Sequence, residues 1–171
     1  MALALILGYS FAKRWTAFSH FILGLCLAIS PVGAWIAVRG SIAIEPLFLA
    51  GALFLWVSGF DMIYSTLDIE FDRKEGLFSF PAIWGIPLTL GAAAVLHTSM
   101  VAVLLVFGFV EGMNALYFGG IAVMAGVIFW EHWMARKLDP VSVNKAFFHA
   151  NAIVSLIFFW VIVMQVFSPA L

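Results

Sequence analysis

Asp61-Met-Ile-Tyr64-Ser-Thr-Leu-Asp68-Ile-Glu70-Phe-Asp72-Arg73-Lys74 follows directly on an apolar segment, in a chain that has very few charges. On a helix advancing about 100° per residue, positions 61, 64, 68 and 72 share one narrow stripe. That stripe carries three carboxylates and a phenol, and two cations follow at once. Like charges on one helix face repel, and beside a membrane they are costly. A divalent cation is the natural compensation. Mg²⁺ takes oxygen ligands and usually shares them with substrate phosphates. Apolar Met62, Ile63, Leu67, Ile69 and Phe71 are interleaved with the acids, which predicts a buried acidic face rather than a solvated helix. Glu70 and Glu75 fit the solvated side.

The surrounding composition defines the setting. Of 171 residues, 65% are hydrophobic and 10% charged, and mean hydropathy is +1.13. Soluble domains are nearer 45–50% apolar and about 25% charged. The chain therefore reads as an integral membrane protein. A net charge of −1 offers nothing to nucleic acid. The single cysteine, Cys26, lies in an apolar run and reads as a packing residue, so no disulfide framework exists.

Five stretches are long enough to cross a bilayer as helices: Thr16–Val38, Pro46–Tyr64, Ile86–Val110, Ala115–Met134 and Ala146–Phe167. Strand-like alternation is absent, so the expected fold is all-α, a polytopic transmembrane bundle forming one domain over 1–171. Met1–Phe11 would rise only about 16 Å as a helix, too short to span. Its basic pair, Lys13-Arg14, follows the apolar core instead of preceding it, unlike a signal peptide. It reads as the end of a partial N-terminal helix.

Seven of the eight basic residues fall on the side of the acidic loop: Lys13, Arg14, Arg73, Lys74, Arg136, Lys137 and Lys145. Only Arg39 falls opposite. The positive-inside rule makes the acidic side cytoplasmic, in a bacterial inner membrane. Trp15, Trp84, Trp130 and Trp133 sit near the same ends, as interfacial anchors do. Lys137 and Lys145 read as topology signals alone.

Several side chains join the candidate site. Arg73 and Lys74 suit a diphosphate, and Lys13 and Arg14 lie on the same side. Tyr64 suits a phosphate oxygen, a carbocation or simply the interface. Asn144 and Asn151 lie two turns apart on nearly one face, either bonding another helix or touching substrate. His132 adjoins Glu131 and His149 lies near the last span. No His spacing points to zinc or haem. His20 and His97 read as packing or interfacial residues.

These residues resemble the UbiA superfamily of intramembrane prenyltransferases. The family's second aspartate motif, Asp-x-x-Tyr-x-x-x-Asp-x-x-x-Asp, is matched by Asp61, Tyr64, Asp68 and Asp72, with Lys74 after it. Tyr9-Ser10-Phe11-Ala12-Lys13-Arg14-Trp15-Thr16 is similar to its Tyr-Pro-x-x-Lys-Arg-x-Thr, and Asn144, Ala146, Phe147, Phe148 and Asn151 to its late Asn-x-Ala-Phe-Phe-x-x-Asn. The family's first motif, Asn-Asp-x-x-Asp-x-x-x-Asp, is absent, so the chain looks like the C-terminal part of a nine-helix fold. Phe78-Ser79 stands where many 4-hydroxybenzoate enzymes carry Lys-Ser. The stretch Gly59-Phe60-Asp61 through Asp72-Arg73-Lys74-Glu75-Gly76-Leu77, with Glu131-His132, looks closer to the prenyltransferases of the alternative menaquinone route.

The resemblance implies Mg²⁺-dependent transfer of a polyprenyl group from polyprenyl diphosphate to an aromatic acceptor, 4-hydroxybenzoate or a dihydroxynaphthoate-type ring. It implies Asp61, Asp68 and Asp72 as metal ligands and catalytic residues. Tyr64, Arg73, Lys74, Arg14, Asn144 and Asn151 would bind substrate. The partners would be those substrates, membrane lipid, and a separately encoded N-terminal part. Two alternatives stand: an inactive membrane fragment or helper subunit, and a cation transporter. The transporter ranks last, because its carboxylates should lie mid-membrane and these lie at a helix end.

Overall fold

A backbone in hydrocarbon has to satisfy its own N–H and C=O groups, and long apolar runs do so by coiling. The computed structural model describes residues 2–9 and 11–167, with helices in every expected place. In chain order these are α1 (Ala2–Tyr9), α2 (Ser19–Arg39), α3 (Glu45–Ser65), α4 (Ile69–Lys74), α5 (Phe80–Trp84), α6 (Ile86–Val110), α7 (Ala115–Ala135) and α8 (Pro140–Phe167). No strand occurs among the described residues. Five helices are long and apolar enough to cross a membrane: α2, α3 continued through α4, α6, α7 and α8. Met1 and Ser10 lie outside the described residues.

The side chains pack as two units, Met1–Met100 and Val101–Leu171, divided within α6. In the first, α2 and α3 pack side by side. Gly24 makes the approach possible. A methyl group there would meet the Ser58 hydroxyl and lie 2.8 Å from the Phe54 carbonyl oxygen. Gly24→Ala is therefore expected to cost about 1–3 kcal/mol, because a backbone oxygen cannot rotate away. Thermal unfolding in detergent checks this; an unchanged midpoint would show that the helices part freely. Gly59 serves α6 in the same manner, with the His97 ring filling the space of its missing side chain. His97 Nε2–H donates to the Trp56 carbonyl at 3.2 Å. His97 is thus a buried packing residue, as its sequence context indicated.

In the second unit α7 and α8 pack together, with Val161 seated against Gly120. The Tyr117 hydroxyl donates to the Leu104 carbonyl at 2.8 Å, while Asn114 caps α7 by accepting from the Tyr117 N–H. The last span begins six residues before the expected Ala146, at Pro140. Asp139 explains this. Its carboxylate accepts from the Ser142 N–H at 2.9 Å and its carbonyl from Val143, an N-cap just ahead of a first-turn proline. The Ser142 hydrogen bonds hold the Asp139 carboxyl below the usual carboxylate range. Lys145, expected between the spans, consequently lies within α8, and Asn144 shares that helix with Asn151 as their two-turn spacing implied.

Large apolar side chains are widely exposed on the spans, among them Phe109, Phe129, Phe159 and Trp160. Outward apolar faces around interior small and polar residues are what a lipid solvent selects.

Candidate functional site

The acidic stretch does not continue as one straight helix. Ser65 and Thr66 hydroxyls donate back to the Met62 and Ile63 carbonyls at 2.8 and 2.7 Å. Such local bonds compete with the regular ladder, and the chain tightens into a 3₁₀ turn over Thr66–Asp68 before α4. α4 then stops at Gly76, whose φ of +65° favours glycine. Leu77 N–H reaches back to the Asp72 carbonyl and Gly76 N–H to Arg73, closing a Schellman cap. Beyond it, Phe78 N–H donates to the Lys13 carbonyl at 2.6 Å, strapping this loop to the 3₁₀ turn Ala12–Arg14.

The result is two polar centres at the end of α3. In the first, the Lys13 ammonium lies 3.3 and 3.2 Å from the Asp72 oxygens and 3.6 Å from Asp68 Oδ2. The Asp72 side chain is only 1% exposed, against 46% for Asp68 and 31% for Lys13. In the second centre, Asp61 Oδ2 lies 2.6 Å from Nδ1 of His20, which is fully buried on α2. The Phe80 N–H, at the start of α5, points to the other ring nitrogen at 3.5 Å. An accepting Nε2 requires the ring proton on Nδ1, the tautomer that donates to Asp61. Asp61 thus pairs with His20, while Asp68 and Asp72 share Lys13. The 3₁₀ turn between them breaks the single stripe expected from helical spacing.

Tyr9, at the end of α1, lies within range of the Asp61 charge. Burial, with smaller contributions from Asp61 and Cys26, pushes its phenol up to about 12. A raised phenol favours the neutral form in the fold. That contribution to stability is complete below the unfolded value near 10 and is lost as pH rises from there through about 12. Alkaline difference absorbance should show late-titrating tyrosine in the wild type, and Tyr9→Phe should lower that late amplitude by one residue's worth.

The other predicted residues sit as follows. Tyr64 is half-buried on α3. Arg73 is exposed and its Nε donates to the Ala82 carbonyl, while Lys74 is exposed beside it. Arg14 lies over the Phe11 ring, 5.6 Å from its centroid. Its neighbour Lys13 is the basic side chain paired with the carboxylates. In the second unit Asn144 is exposed and Asn151 half-buried on α8. His20, read from sequence as packing or interfacial, is the residue the spacing could not reveal. It comes from another helix, and its only sequence signal is a histidine six residues beyond Arg14.

Among the described residues no three His, Cys, Asp or Glu side chains gather into a complete metal cage. Asp68 and Asp72 nevertheless already share one cation, the Lys13 ammonium. Mg²⁺ commonly takes one or two carboxylates and completes its shell with substrate phosphate and water. The pair fits that pattern.

The sequence pattern of the UbiA prenyltransferase family matches residues 1–165. The chain belongs to this family. This UbiA-family chain is 31% identical over 166 residues to a 4-hydroxybenzoate octaprenyltransferase of Pseudomonas entomophila strain L48, covering 94% of this chain and 54% of the relative. It is 27% identical over 158 residues to the protein of that name in Nitrosospira multiformis, covering 92% and 54%. Among solved structures it is similar to the apo structure of a UbiA homolog from Aeropyrum pernix K1. The TM-score is 0.85 and the identity 33%, covering 96% of this chain and 62% of that one. The UbiA-family chain thus spans about half the length of the curated relatives it matches.

Proposed function

We propose that this chain carries out, as part of a UbiA-family enzyme, Mg²⁺-dependent transfer of a polyprenyl group from polyprenyl diphosphate to an aromatic acceptor. The observation that supports it most directly is the convergence of Asp68 and Asp72 on one cation, at the end of an apolar helix. The names of the relatives point to 4-hydroxybenzoate as the acceptor. The likeness of residues 59–77, with Glu131-His132, to menaquinone-route enzymes favours a dihydroxynaphthoate-type ring.

Asp68 and Asp72 hold the metal, which when bound supplies charge neutralisation to the departing diphosphate. Arg73 and Lys74, exposed on α4, add positive potential for that anion. Arg14 does so from the neighbouring turn. Tyr64 and Asp61 face the reacting end of the substrates from α3. Asp61, held on one oxygen by His20, is the candidate acceptor of the ring proton. Asn144 and Asn151 are proposed substrate contacts of α8. The polyprenyl tail lies against apolar helix surface open to lipid, so it needs no closed cavity. The bacterial inner membrane, with the acidic loop on the cytoplasmic face, is the proposed location.

A second reading, an inactive fragment or helper subunit, is favoured by the acids being engaged by protein side chains, Asp61 by His20 and Asp68 and Asp72 by Lys13. The two separate in one experiment. The chain is expressed alone and together with the remaining half of the Pseudomonas relative, and Mg²⁺-dependent prenylation of both acceptors is measured in membranes. Product in either arm supports the transferase. Intact, membrane-inserted chain without product in both arms supports the fragment.

A further inference from the structure

We propose that Lys13 is an exchangeable counter-ion of the Asp68–Asp72 pair, so that the site takes a divalent cation together with a diphosphate and resists the cation alone. This rests on the reading of Asp68 and Asp72 as metal ligands. Asp72 is shut from water, and its negative charge needs a partner in the metal-free protein; Lys13 provides it at 3.2 Å. Among the described residues no other basic side chain is paired with either acid.

Lys13 is built to leave. Its side chain is 31% exposed, unlike that of Asp72. Its backbone carbonyl is pinned by Phe78 N–H, and the Trp15 and Thr16 N–H groups bond to Ala12, holding the turn. The ammonium can therefore swing away by side-chain rotation while the turn stays in place. A bare divalent cation approaching the pair meets a positive charge already seated, and displacing it leaves the ammonium without an anion. A diphosphate arriving with the metal gives that ammonium a new acceptor. Metal and diphosphate then help each other to bind, and such coupling is reciprocal.

The test uses the full chain in nanodiscs. Mn²⁺ binding is followed by electron paramagnetic resonance, alone and with inorganic pyrophosphate, corrected for the Mn²⁺–pyrophosphate complex formed in buffer. In the wild type pyrophosphate should tighten Mn²⁺ binding about tenfold or more. Lys13→Met should bind Mn²⁺ alone about tenfold more tightly than wild type and lose most of the pyrophosphate effect. Lys13→Arg keeps the charge and secures Asp72 against misfolding, and its bidentate fork should hold the acid harder. It should bind Mn²⁺ alone more weakly than wild type. Lys13→Met binding no more tightly, or Lys13→Arg binding no more weakly, overturns the proposal while leaving the metal assignment standing. No Mn²⁺ binding by any of the three proteins, with or without pyrophosphate, overturns both.

Discussion

Asp72→Ala in the complete enzyme is expected to lower Mg²⁺-dependent prenyl transfer by at least about 10²–10³-fold. The side chain is 1% exposed, and in the proposed role it gives the metal a carboxylate charge that a neutral water does not replace. Asp68→Ala should give a loss of similar order, because a shared cation needs both carboxylates. The two should differ in stability. Asp68 is nearly half exposed, and its removal leaves Lys13 still paired with Asp72. Asp72→Ala leaves Lys13 with only the longer contact to Asp68, at a cost of about 1 kcal/mol given the exposure of the lysine. Asp72→Asn keeps the shape and removes the charge, so it separates ligation from packing. Product measured by chromatography across a Mg²⁺ series decides the matter. Turnover equal to wild type in Asp72→Asn would remove this acid from the site.

His20→Leu is the second large effect. Replacement leaves Asp61, with a side chain 20% exposed, without its 2.6 Å donor. The cost should be about 1–3 kcal/mol, softened by the water that reaches the carboxylate. Transfer activity should fall about tenfold as Asp61 loses its fixed orientation. His20→Asn can place an N–H near the former Nδ1 and should recover much of the rate. His20→Gln, which reaches toward the former Nε2, should recover less. Thermal midpoints and kcat for the three variants form the check. If all three behave alike, His20 fills space and does not position Asp61. A double-mutant cycle with Asp61→Asn would isolate the pair's own contribution.

The five spans were legible because lipid imposes one rule on the backbone and one on the side chains, and both act within about 20 consecutive residues. The start of α8 was misread by six residues since its signal is not apolarity. Asp139 and Pro140 begin a helix by capping it, and the charge of Lys145 in the first turns reads as a connection between spans. The acids were legible as a group through their spacing. Their division was not, because two hydroxyl back-bonds at Ser65 and Thr66 turn the chain between Asp61 and Asp68. Lys13 was visible as a cation on the correct side, but the sequence reading assigned the substrate contact to Arg14 beside it. The strap from Phe78 to the Lys13 carbonyl is one of the contacts that fixes which neighbour faces the acids.

By itself the sequence determined that the chain is helical, that it is built for lipid, that its acids gather at one helix end, and which family it belongs to. Those properties follow from short-range periodicity and from local motifs. Only the tertiary structure decided the partners: His20 for Asp61, and Lys13 for Asp68 and Asp72. Each pairing joins residues some 40 to 60 positions apart. It depends on how closely α2 approaches α3 past Gly24 and on where a cap at Gly76 sends the loop. Side-chain pairing at that range is set by packing and chain direction, which no local pattern encodes.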